Sequence, residues 1–177
     1  MAQRIEFRNN GVIDSLTSSM APSIFHENLS REHAAQQRNF SGLSVITFKI
    51  ETFEDYNQGS SPKALALSDI WEIETFLIRM SFEIEGQIRD SEFFSRVSEF
   101  GFWISLRGGF ESAKIASARM LAKIEVARFE FRAVQSFDIA VTITELLPEE
   151  RLSAFISRVD RNYFHSENSS HLLFLEG

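Results

Sequence analysis

A chain of 177 residues with a formal net charge of −7 and no cysteine is long enough for one domain with a sizeable core. The lack of cysteine excludes disulfides, thiolate metal sites and a cysteine nucleophile. The acidic balance argues against broad binding to nucleic acid or to an anionic membrane, because both require basic patches.

The composition is that of an ordinary soluble domain, with 44% apolar and 24% charged residues. The 18 Phe, against 2 Tyr and 2 Trp, point to bulky apolar packing. No apolar run approaches about 18 residues and the start MAQRIEFRNN has no signal-peptide core. A cytoplasmic location is expected, either for a whole protein or for a piece of a membrane receptor.

Residues 1–13 read as a lead-in. Ser23 to Arg38 carries apolar or small residues near helical spacing behind Pro22 and predicts a first helix. Leu43 to Phe53 is β-branched and alternating, with Val45, Thr47, Lys49 and Glu51 on one face and Ile46, Phe48 and Ile50 on the other. It predicts a strand with one apolar face and one face turning polar. Turn residues over 57–63 predict a loop. The apolar spacing over 64–88 predicts a long amphipathic helix.

A hairpin follows, with arms over 92–99 and 102–106. Phe110 to Ile124 predicts a third helix. Arg128 to Val134 and Ser136 to Glu145 alternate, and predict two more strands. Pro148 to Phe164 predicts a last helix, opened by proline and two glutamates at the positive end of its dipole. The order α-β-α-β-β-α-β-β-α implies an α/β sandwich, one sheet covered by helices.

Five local strings in this order resemble the GGDEF domain of diguanylate cyclases. Asp14, Leu16, Thr17 and Phe25 match the family's opening D-x-L-T-G-L-x-N-R-x-x-F. In FKIETFEDYN (48–57), Ile50, Phe53 and Asn57 match D-I-D-x-F-K-x-I-N, with Glu51 in place of an Asp. In RDSEFFSRVSEFGF (89–102), Arg89, Arg96 and Phe102 match R-x-x-D-x-x-x-R-x-G-G-D-E-F, with Glu92 in place of the first Asp. IAVTITEL (139–146) and VDRNYFHSE (159–167) are similar to the closing S-I-G-I-A and A-D-x-A-L-Y-x-A-K.

The resemblance covers 14–167, leaving 168–177 as a tail. It implies the palm-like sandwich shared with adenylyl cyclases, with a mostly antiparallel sheet of about five strands. It also implies an ancestry in condensing two GTP into cyclic di-GMP.

The departures bear on activity. Family cyclases bind Mg²⁺ through the first Asp of D-I-D and an acid of the signature turn. Lys49 stands at that first Asp, and an ammonium repels a cation. The signature itself reads Ser98-Glu99-Phe100-Gly101-Phe102, so the glycine pair and both acids are replaced. Glu167 stands at the final-helix Lys. The resemblance therefore implies a vestigial active site of Lys49, Glu51, Ser98, Glu99, Phe100 and Gly101, with no cofactor. Lys49 could pair with Glu51 or Glu99, supplying the charge a metal would bring, or it could point to solvent.

Two further sites are implied. Asn57 and Glu74 stand at or near the family's guanine-recognising Asn and Asp, although both also suit a turn residue and an exposed helix acid. Arg89 and Glu92 stand at the inhibitory R-x-x-D site that binds cyclic di-GMP, where an Arg can clamp phosphate. A bare surface ion pair is the alternative there. His26, His33, His165 and His171 read as surface residues.

The expectation is a catalytically inactive regulatory module in cyclic di-GMP signalling. Its partner would be another protein or an attached sensor or EAL-type phosphodiesterase domain. The alternative is a cyclic di-GMP or GTP receptor, and a weak cyclase ranks third.

Overall fold

The computed structural model describes residues 5–39, 41–51 and 67–165. Strand β1 (Leu43–Glu51) is apolar or small along most of its length and occupies an interior position. It pairs with β3 (Gly101–Arg107) on one side and β4 (Asp138–Glu145) on the other, while β2 (Phe93–Ser98) forms the edge beyond β3. The order is β2-β3-β1-β4 and every pairing is antiparallel. Among the described residues the sheet thus has four strands rather than about five.

The missing strand is the one expected over Arg128–Val134. Helix α3 (Phe110–Arg128) runs to the start of that segment, and a 3-10 turn occupies Arg132–Val134. Its alternation serves packing against α2 (Leu67–Glu85). Phe131 lies 5.9 Å from the Phe76 ring, Val134 is buried, and the Ala133 N–H donates to Glu72 Oε2 at 2.8 Å.

The face of β1 expected to turn polar is covered as well. Ile46, Phe48 and Ile50 enter the larger core beneath α2 and α3. Val45 joins a second core with Phe25 and Leu29 of α1 (Pro22–Asn39) and Phe155, Val159 and Tyr163 of α4 (Leu152–His165). Thr47 survives in this setting because its hydroxyl shares a 2.7 Å hydrogen bond with that of Thr142, which satisfies both groups away from water. Helices on both faces make three layers, an arrangement that needs apolar residues on both sides of the central strand.

Helix α4 starts later than Pro148. Glu149 adopts a φ of 60°, and the Leu147 N–H donates to Glu150 Oε2 at 3.1 Å, so 147–150 form a turn. Arg158 then clamps Glu150 through two 2.7 Å hydrogen bonds.

The hairpin joining β2 and β3 is tied to the N-terminal segment by a buried ion pair. Arg96 Nη1 donates to both carboxylate oxygens of Asp14 at 3.2 Å, and both side chains are fully buried. Asp14 Oδ1 also accepts from the Thr17 N–H and hydroxyl, each at 2.8 Å. The rest of the guanidinium donates to the backbone carbonyls of Glu99 and Glu6. Arg96 therefore holds the turn at Glu99 in place from within. No described helix is long and apolar enough to cross a membrane.

Candidate functional site

The end of β1, the β2–β3 turn and the last turns of α4 converge at one end of the sheet. Lys49 is the cross-strand partner of Gly101 on β3 and of Ala140 on β4. Ser98 closes the turn by pairing with Gly101. Phe100, at a position where the resemblance places an acid, packs against the larger core, and its carbonyl accepts the Ile50 N–H at 2.9 Å. Glu99 contributes its carbonyl to Arg96. Glu51 is buried at the strand end.

Gly101 explains the local geometry. A Cβ on this residue would overlap Tyr163 Oη, and would stand 2.6 Å from Ser98 Oγ and 2.8 Å from Tyr163 Cζ. The space that a side chain at 101 would occupy is filled by the phenol of α4. Its hydroxyl lies 2.9 Å from Ser98 Oγ, and the Lys49 ammonium stands 5.7 Å from its ring centre, within cation–π range.

Behind them lies a pocket of about 410 Å³ whose lining includes His26, Lys49, Ser98, Trp103, Asp160 and Tyr163. Burial pushes the Asp160 carboxyl above its usual range, and the charge of His26 only partly offsets this. The folded protein therefore holds that proton more tightly than the unfolded chain. The associated stability is fully present below about pH 3.9 and is lost as pH rises through the raised folded value. Asp160→Asn should accordingly melt higher than the parent protein at about pH 7, with the difference vanishing near pH 3. Melting curves at the two pH values check this.

Magnesium, which the resemblance implies for an active cyclase, does not fit. Lys49 stands at one expected acid, Phe100 and Gly101 stand at the two acids of the signature turn, and a phenol fills the space beside Gly101. Among the described residues, no group of three or more His, Asp or Glu is placed to hold a metal ion.

The remaining expected positions are dispersed. Glu92 is buried, and its carboxylate accepts the Arg89 N–H at 2.8 Å, while the Glu92 N–H donates back to the Arg89 carbonyl at 2.8 Å. This is a local capped turn, neither an Arg–Glu ion pair nor an acid turned outward. Arg89 is exposed and Glu74 half-buried on α2. Asn57 lies outside the described residues.

Two histidines are more engaged than a surface reading allows. His26 is half-buried with its ring 5.9 Å from that of Trp103, and His33 Nε2 lies 2.7 Å from the Glu150 carbonyl. Tyr163, Asp160, His26 and Trp103 were not legible as site residues. For Tyr163 and Asp160 the available signal was their place in the closing string, four and seven residues before Glu167.

No protein-family model and no curated protein sequence matches the chain. Solved structures do. The diguanylate cyclase SiaD of Pseudomonas aeruginosa, in complex with its activator SiaC, superposes with a TM-score of 0.71 at 16% identity, over 92% of this chain and 61% of that one. The chain thus spans less than two thirds of SiaD. The GGDEF domain of PA1120 (YfiN or TpbB) from the same organism gives 0.69 at 18% identity, over 91% of this chain and 99% of that domain. The GGDEF domain of DgcB from Caulobacter crescentus, in complex with c-di-GMP, gives 0.68 at 15% identity, over 96% and 98%.

The chain has a GGDEF-like fold. Within this GGDEF-like sandwich, the turn at 98–101 and the end of β1 lie side by side, as the signature and the D-I-D segment are expected to. The helix that follows β4 closes over them.

Proposed function

We propose that this chain is a catalytically inactive GGDEF-like regulatory module in cyclic di-GMP signalling, spanning residues 14–167 and acting mainly through protein–protein contact. One observation carries the reading. At Gly101, cross-strand from Lys49, the Tyr163 phenol fills the space of one of the two acids the resemblance places in the signature turn, and Phe100 stands at the other. A cyclase needs divalent charge there to neutralise the phosphates of GTP, and a fixed ammonium beside a phenol offers no anionic ligand. The complex of SiaD with its activator SiaC is a precedent for protein contact by a molecule of this fold.

The test combines synthesis and binding. Incubation with GTP and Mg²⁺ should yield no cyclic di-GMP by mass spectrometry, and product formation would reverse the reading. Melting temperature followed against GTP, with and without Mg²⁺, should stay level, because a nucleotide that binds only the folded state raises it by mass action. A rise with cyclic di-GMP that disappears in Arg89→Ala would favour a receptor role instead. The capped turn holding Glu92 to the Arg89 backbone speaks against that outcome.

A further inference from the structure

We propose that the pocket beside Tyr163 binds a small amphiphilic zwitterion of the class of the aromatic amino acids. In this site the ligand's ring lies among aromatic side chains, its carboxylate meets Lys49 and the Trp103 indole N–H, and its ammonium meets Asp160. Four elements build the pocket. Lys49 comes from β1, Trp103 from β3, His26 from α1, and Asp160, Tyr163 and Phe164 from α4. Its volume of about 410 Å³ stands at the small end of the range for ligand sites. The walls are aromatic. Trp103 stands 5.9 Å from His26 and 6.3 Å from Tyr163, ring centre to ring centre, and Tyr163 stands 5.4 Å from Phe164. Flat apolar walls with a few polar groups are what orient a small ring-bearing ligand.

The polar groups call for an acceptor and a cation on one molecule. Trp103 is 4% exposed, and its indole N–H makes no hydrogen bond among the described residues. A buried tryptophan ordinarily pairs this donor, so a ligand oxygen that reaches it answers a deficit of the fold. Lys49 lines the same pocket, its ammonium 5.7 Å from the Tyr163 ring centre, and its charge favours a carboxylate oxygen over a neutral one. Asp160, three residues before Tyr163 on α4, adds an acid. Burial disfavours its charged form, and a ligand ammonium beside it would favour that form again.

The two opposite charges decide the class of ligand. A bare carboxylate would be repelled by Asp160, and a bare amine by Lys49. A polyphosphate would find the charge of Lys49 offset by that of Asp160. A zwitterion gives each charge a partner. The inference goes beyond the regulatory role proposed above and does not rest on it, because such a ligand needs neither GTP nor a protein partner to bind.

Calorimetric titration of the full chain with L-phenylalanine, hydrocinnamate (which lacks the ammonium) and phenethylamine (which lacks the carboxylate) tests the proposal. L-Phenylalanine is expected to bind, and each analogue to bind about tenfold or more weakly than it, since each leaves one charge of the pocket unpaired. Lys49→Met should remove the preference over phenethylamine and keep that over hydrocinnamate. Asp160→Asn should do the reverse. A circular-dichroism melt confirms that both variants fold. In a proton–nitrogen correlation spectrum the indole signal of Trp103 should move as L-phenylalanine binds. That of Trp71, 67% exposed on α2, should stay in place. No binding of L-phenylalanine at millimolar concentration, equal binding of the three compounds, preferences that survive both substitutions, or an unmoved Trp103 signal would each overturn the proposal.

Discussion

Arg96→Met is expected to destabilise the protein by about 3–5 kcal/mol, the cost of stranding a buried charge by removing its partner. For a chain of this length that corresponds to a fall in melting temperature of roughly 6–20 °C. Asp14 would keep its bonds from Thr17 but lose both from the guanidinium. The part-buried carbonyls of Glu6 and Glu99 would lose theirs as well, and the fully buried Asp14 carboxylate left without its cation carries its desolvation cost. Damage should concentrate where Arg96 joins the N-terminal segment to the β2–β3 turn. The combined Asp14→Leu and Arg96→Met variant should recover part of the loss, since a buried ion pair replaced whole by apolar groups is often tolerated. Thermal melts of the parent, both single variants and the pair check this. A single variant melting within about 2 °C of the parent would show that the pair carries little of the fold's stability.

Gly101→Ala is the second large effect. The added methyl would overlap the Tyr163 hydroxyl and lie 2.6 Å from Ser98 Oγ, closer than non-bonded atoms stand, and overpacking of this kind costs about 1–3 kcal/mol. The strain is specific to one neighbour, so Tyr163→Leu, which removes the ring tip, should offset it. The expected signature is a favourable coupling energy of about 1 kcal/mol or more between the two positions in a double-mutant cycle. Additive losses would mean that the hairpin shifts away from α4 instead of clashing with it. The same geometry implies that an acid restored at 101 alone cannot rebuild a metal site, because the phenol must leave first.

Much of the architecture was legible because it rests on periodic burial. The alternation of Leu43–Glu51, the helical spacing in α2 and the two hairpin arms each follow from which residues can face a core, and those elements formed where expected. The strand expected over Arg128–Val134 did not form, because alternation alone cannot distinguish a strand from a turn whose apolar residues pack under a neighbouring helix. The polar face foreseen for β1 was covered by α1 and α4, elements distant along the chain, whose position only the sheet order decides.

At the site, the sequence by itself determined charge and the absence of side chains: a cation at 49 and a glycine at 101 are facts of composition at two positions. Tertiary structure decided what stands between them. That Tyr163, 62 residues beyond Gly101, places its phenol in the empty space, and that Asp14 meets Arg96 across 82 residues, follows from packing helices on both faces of one sheet. Such meetings between distant residues have no local pattern to announce them, because they are chosen by the three-dimensional fit of whole elements.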